Sequence, residues 1–172
     1  MRKNCAIFGC SPMCFPWGFD EEDEGCAALK LILMNRITKL RGEGYTRFAV
    51  SMDCGVGLYA AEILTGLRET DREIEFFCYV PYEEQSTKWT PELRDRYFDA
   101  LAACADIVYV IHVKAVGCEF KAHLQAIAEA DTVIAVYDPD DPLSEREITT
   151  VAVAELLEKQ VISIDPKAIQ IS

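Results

Sequence analysis

Six short segments of this chain, residues 4–9, 47–52, 74–80, 107–112, 132–138 and 161–165, are close to uninterrupted apolar runs. Such runs are too short for helices and too uniformly apolar for strands with one wet face, so they read as parallel strands covered on both sides. Helical spacing fills the gaps between them. One helix is expected over residues 22–41, with Ala27, Ala28, Leu31, Ile32, Ile37 and Leu40 along its buried stripe and the acidic run Asp20 to Glu24 at its N-terminus. A second is expected over 56–68, burying Tyr59, Ala60, Ile63, Leu64 and Leu67. The third opens with Thr90 as N-cap and Pro91 at the first helical position, and Phe120, Leu124 and Ile127 mark the fourth. The fifth follows a capping box, Ser144 with Glu147, and continues through Ile148, Val151, Ala152 and Leu156. The alternation predicts an α/β fold: a Rossmann-like three-layer sandwich around a mostly parallel, doubly wound sheet. With no repeat, low-complexity stretch or linker, residues 1–172 are expected to form a single domain.

The formal charge of −12 argues against a nucleic-acid partner, since such affinity rests on Lys and Arg replacing phosphate counterions. No stretch reaches the roughly 18 apolar residues of a membrane span, and the basic Arg2-Lys3 pair is followed by too few apolar residues for a signal-peptide core. Neither nucleic acid nor membrane is therefore expected as a partner. The eight cysteines are scattered without a C-x-x-C pair and read as buried thiols of a reducing compartment. A cytoplasmic location is expected.

Ligands of doubly wound sheets bind beyond the carboxyl ends of the strands, so the residues that follow each strand are the candidates. They are Gly9, Ser11 and Pro12 after the first run; Ser51, Asp53 and Gly55 at the end of the second, leading to Tyr59 and Glu62; Pro81, Tyr82, Gln85 and Trp89 after the third; His112 after the fourth; and Asp138 after the fifth. In Asp53-Cys54-Gly55-Val56-Gly57 a strand breaks at glycines and enters a helix without a linker, which aims free N–H groups at one point and favours an anion. The glycines serve either that cradle or close helix packing; no G-x-G-x-x-G fingerprint is present. Tyr82, Gln85 and Trp89 suit stacking on a base and reading its edge, or else form an aromatic cover over the core. His112 is either a titrating group or a structural donor. Cys54, at a helix N-terminus, is expected to have a lowered pKa. Glu62 is the candidate acid or base if the protein is a hydrolase. No metal ligand set and no cofactor are expected, the spacing of His112, His123, Cys10 and Cys14 fitting no zinc pattern.

The order Ser51-Met52-Asp53-Cys54-Gly55-Val56 into Tyr59-Ala60-Ala61-Glu62, then Pro81-Tyr82-Glu83-Glu84-Gln85 with Trp89, then Tyr137-Asp138-Pro139, resembles the YpsA-like family of the SLOG superfamily over nearly the whole chain. That superfamily also contains DprA and the LOG phosphoribohydrolases. The resemblance implies a Rossmann-like fold and binding of nucleotides or nucleotide-derived ligands. It points to Ser51, Gly55, Glu62, Pro81, Gln85, Trp89 and Asp138, and in the first loop to Gly9, Ser11 and Pro12. Two positions depart from the family pattern: Met52 stands where a glycine is usual, and Gly57 where an acidic residue is frequent. The P-G-G-x-G-T-x-x-E loop of the LOG enzymes is absent, and the corresponding loop, residues 138–144, is acidic.

The function expected on these grounds is binding of a nucleotide-like small molecule, sensor-like rather than catalytic. The alternatives are a hydrolase of N-glycosidic or phosphate bonds and a protein-interaction module whose pocket has decayed. The reading admits a homodimer.

Overall fold

In β1 (Lys3–Gly9), Cys5 and Ile7 turn to one face of the sheet and Ala6 and Phe8 to the other, and all four are fully buried. A strand with no wet face must lie in the interior of a covered sheet. In the computed structural model, which describes residues 2–169, β1 is flanked by β2 (Tyr45–Ser51) and β5 (Thr132–Val136). With β3 (Glu75–Tyr82), β4 (Asp106–Ile111) and β6 (Gln160–Ile164) they form one six-stranded parallel sheet in the order β4-β3-β2-β1-β5-β6. The three-layer Rossmann-like sandwich is therefore the observed fold.

Helices α1 (Glu24–Gly42), α2 (Val56–Arg68) and α3 (Pro91–Ala103) pack on one face. There Leu29, Leu33 and Ile37, Leu58 and Leu64, and Tyr97 close over Phe48, Val50, Phe76 and Ile134. Helices α4 (Cys118–Ala128) and α5 (Glu145–Leu156) cover the other face with smaller residues: Ala126, Ile127, Val151 and Ala154 over Ala6, Phe8, Val133 and Ala135. The chain leaves β1 toward β2 and later returns to the opposite side of β1 as β5. The loops that follow these two neighbouring strands therefore part in opposite directions, which opens a crevice at their carboxyl ends.

Every expected strand and helix is present, with ends that coincide or lie within three residues of expectation, and Thr90 caps α3 through the N–H of Leu93 as expected. Asp23 caps α1, accepting from the N–H of Gly25 at 2.7 Å. Two buried stripes differ from expectation. In α1 the buried row is Cys26, Leu29, Leu33, Ile37 and Leu40, while Leu31 faces outward. In α5 it is Glu147, Thr150, Val151 and Ala154, while Leu156 is exposed. The α5 stripe is rotated because Glu147 turns inward to His123 on α4, while Val151 and Ala154 meet the apolar sheet.

The capping box at α5 does not form. The Ser144 hydroxyl accepts from the N–H of Asp138 at 3.2 Å, and the Glu147 carboxylate turns inward instead. A 3₁₀ turn, Pro142–Ser144, capped by Asp141, starts the helix.

The N-terminus of α2 meets the sheet almost backbone to backbone. A Cβ on Gly57 would lie 2.5 Å from the carbonyl oxygen of Ser51 and 2.9 Å from Cα of Met52. Because that obstacle is backbone, Gly57→Ala should cost about 1–3 kcal/mol, the range for overpacking a rigid contact. Urea denaturation of the variant measures it; an unchanged midpoint would show that α2 has room to withdraw.

Candidate functional site

The turn between β2 and α2 closes on itself. Asp53 Oδ1 accepts from the N–H of Gly55 at 2.8 Å and from that of Gly57 at 3.0 Å. The N–H groups expected to be free for an anion are thus occupied by the chain's own carboxylate. Burial raises the Asp53 carboxyl to about 7, against the pull of those two N–H groups; Glu147 adds to the rise and Arg146 opposes it. Cys54 also departs from expectation. Its thiol is pushed up to about 12 by burial and then by the neighbouring Asp53 charge, since the helix terminus is already neutralised by Asp53.

Beside this turn, at the carboxyl ends of the strands, lies a pit of about 150 Å³. Ser11 and Pro12 reach it from the loop after β1, Ser51, Asp53 and Cys54 from the β2–α2 turn, and Pro81, Tyr82, Gln85 and Trp89 from the loop after β3. Met52 lines it as well, with its side chain buried in the core. These are most of the residues expected from the sequence.

The rest of that set takes other places. Gly9 and Gly55 bring the turn close: a Cβ on Gly9 would meet Val56 Cγ2 at 2.4 Å, and one on Gly55 would meet Pro12 at 3.1 Å. Tyr59 is a core residue with Lys30 Nζ 4.8 Å above its ring. Glu62 is held by Arg96, with contacts of 2.7 and 3.0 Å. His112 is exposed and contacts Glu83 at 3.1 Å. Asp138 caps its own loop through the N–H of Asp140 and pairs with Lys167 at 3.2 Å, which hold it below the usual carboxylate range.

The pit also contains Glu119 from α4 and Arg146 from α5, which the sequence did not single out, and His123 from α4, which was weighed there only as a zinc ligand. Ser51 Oγ lies 2.7 Å from His123 Nδ1, and His123 Nε2 lies 2.7 Å from Glu147 Oε2. Arg146 Nε donates to the same carboxylate oxygen at 3.0 Å. The line Ser51–His123–Glu147 is almost wholly withdrawn from solvent, and the imidazole lies 4.8 Å from the Phe8 ring. Burial opposes ionisation of Glu119, but its own N–H, the Cys118 thiol and the Arg146 and Lys114 cations hold it below the usual range. The available signal was Glu147 at a buried position of a helix, and the capping-box spacing concealed it.

Through Cys54 and Trp89 the pit adjoins a wider cleft of about 750 Å³, lined by Phe19, Glu21, Lys88, Leu93 and Arg96 among others. Arg96 spans its wall, donating to both Glu21 oxygens at 2.7 and 2.9 Å as well as to Glu62. The Trp89 indole packs edge-on against Tyr97 with ring centroids 5.1 Å apart. Among the described residues no group of three or more His, Cys, Asp or Glu is placed to hold a metal ion, and no helix is long and apolar enough to cross a membrane.

Residues 6–167 match the model of the family described as the YspA SLOG family. The chain is similar to a UPF0398 protein of Halalkalibacterium halodurans, 29% identical over 127 residues, which covers 72% of this chain and 67% of that one. It is also similar to UPF0398 proteins of Bacillus cereus and Bacillus thuringiensis, each 27% identical over 154 residues, or 87% of this chain and 82% of theirs.

The raised Asp53 has a stability signature. From its unfolded value near 4 up to about 7, the native state holds a proton that the unfolded chain has lost, so this group's contribution to stability falls as pH rises across that window. Asp53→Asn keeps an oxygen for the two N–H groups and removes the titration. The melting temperature of the wild type should fall relative to that of the variant between about pH 4 and about pH 7. Parallel profiles would refute the raised carboxyl.

Proposed function

We infer that this chain, which belongs to the YspA SLOG family, is a small-molecule-binding domain for a nucleotide or nucleotide-derived ligand, sensor-like rather than catalytic. The observation that carries the reading is the convergence of Ser51, Asp53, Gln85 and Trp89 on one pit at the strand carboxyl ends, opening past Trp89 into a cleft wide enough for a second ring system. Trp89 supplies a face for a base and Gln85 an amide for its edge. Glu62, the carboxylate considered for hydrolysis, is committed to Arg96 and does not line the pit, which favours binding over turnover.

Thermal-shift measurements against nucleosides, nucleotides and ADP-ribose at millimolar concentration test this. A ligand present at about 100 times its Kd adds about 2.7 kcal/mol, which raises the melting temperature of a domain of this size by roughly 5–10 °C. No shift with any compound overturns the reading.

The Ser51–His123–Glu147 line favours a second, hydrolytic reading, because a histidine oriented by a carboxylate and touching a hydroxyl is the arrangement of a general base. Release of nucleobase, ribose phosphate or inorganic phosphate from the same compounds, lost in His123→Asn and kept in Glu62→Gln, is its expected outcome. Absence of any release rejects it.

A further inference from the structure

The pit has a hydrogen-bond polarity that its charge alone does not reveal. Glu147 is fully buried and accepts from both His123 Nε2 and Arg146 Nε. In the neutral imidazole this places the proton on Nε2 and leaves Nδ1 a bare acceptor. The Ser51 hydroxyl, 2.7 Å from Nδ1, then donates its single proton to His123. What Ser51 offers the pit is therefore its lone pairs. Asp53 behaves alike: Oδ1 is taken by the N–H groups of Gly55 and Gly57, which leaves Oδ2 for a ligand, and above about pH 7 that oxygen is an acceptor. Glu119, held ionised by the charges around it, is a third acceptor in the lining.

Donors come from the β3–α3 loop. The amide nitrogen of Gln85, itself nine-tenths buried, is without a partner among the described residues, and the Trp89 indole lies at the junction with the cleft. Arg146 is the one guanidinium of the lining, and its Nε already serves Glu147. A phosphate at the start of α2 would meet Asp53 in the place of free N–H groups and Glu119 nearby, two like charges in a poorly hydrated pit. A pair of hydroxyls meets the opposite situation, since each has a proton to give and none of the three acceptors has one to offer. At about 150 Å³ the pit has the volume of roughly five waters, which suits a furanose and is too small for a whole nucleoside.

We propose that the pit receives the vicinal 2′,3′-diol of a ribosyl group, its two hydroxyls donating to Ser51 and Asp53 with Glu119 beside them, with the base directed toward Trp89 and the cleft, and that it excludes phosphate from the N-terminus of α2. The proposal rests on the nucleotide-ligand reading above and narrows it to ligands whose ribose hydroxyls are free.

Isothermal titration of the full chain at about pH 8 tests it. The probes are adenosine, guanosine, cytidine and uridine, with the 2′,3′-dideoxy, 3′-monophosphate and 5′-monophosphate forms of whichever binds most tightly. The expected result is binding of the nucleoside and its 5′-monophosphate, with both the dideoxy and the 3′-monophosphate forms weaker by about 10-fold or more, the worth of one charge-assisted hydrogen bond. Ser51→Ala should weaken the nucleoside and leave the dideoxy compound unchanged. A dideoxy compound or a 3′-monophosphate that binds the wild type as tightly as the nucleoside overturns the diol assignment and leaves the broader reading standing. Failure of every nucleoside and nucleotide to bind overturns both.

Discussion

The start of α2 rests against the carboxyl ends of β1 and β2, with the Val56 side chain seated on Gly9 and Gly57 against the backbone of Ser51 and Met52, and the rest of the site depends on that contact. Gly9 and Gly57 are the two positions that allow it, each confronting neighbouring atoms at distances a Cβ would violate. With the helix drawn in, Asp53 lies within reach of the first N–H groups, Pro12 covers Gly55, and Ser51 is brought level with His123 on α4. Met52 and Gly57 fall at this same contact, the backbone of Met52 lying directly under Gly57. Met52 touches the pit but buries its bulk in the core.

The sequence disclosed this architecture because the central strands β1 and β5 are buried on both faces, and short, near-continuous apolar runs recur along the chain, although the edge strands β4 and β6 are only partly covered. It disclosed the strand-end residues for a related reason: the rim of a doubly wound sheet is located by topology alone, so Ser51, Gln85 and Trp89 could be assembled without knowing any distance. Glu119, His123 and Arg146 lie on helices that cross above the rim, and their place depends on how α4 and α5 pack. Nothing in local spacing reports that. Glu147 shows the limit most clearly. Its position three residues after Ser144 suits a cap, yet the energy of the helix end was met by Asp141 and a 3₁₀ turn, and the carboxylate was drawn to the buried imidazole. Likewise Asp53 looked like the lip of an anion site and is its occupant.

A fully buried carboxylate is costly unless its charge is met by donors. Glu147 receives two, both at Oε2, while Oε1 is buried without a partner among the described residues, and Ser51 brings the polar connection to the pit. Such a line fixes the orientation of the imidazole and, with it, the direction of the serine proton. These polar residues lie on the side of the sheet where α4 and α5 pack small residues, among them Ala126 and Ala154, and where the His123 ring lies against Phe8. Packing there is traded for directionality.

Arg96 has a bearing on how the cleft behaves. It ties α3 to α2 through Glu62 and to the segment before α1 through Glu21, which also holds Lys30 at 2.7 Å. The outer wall is thus fastened by ion pairs, while the floor beneath it is fastened by apolar packing. Mobile ions screen the first kind of fastening and scarcely touch the second. Ionic strength therefore acts on the ion pairs of Arg96 alone: the segment that leads into α1 is also held by Phe15, which is buried and stacks on Trp17 and Tyr59, and that anchorage is indifferent to salt.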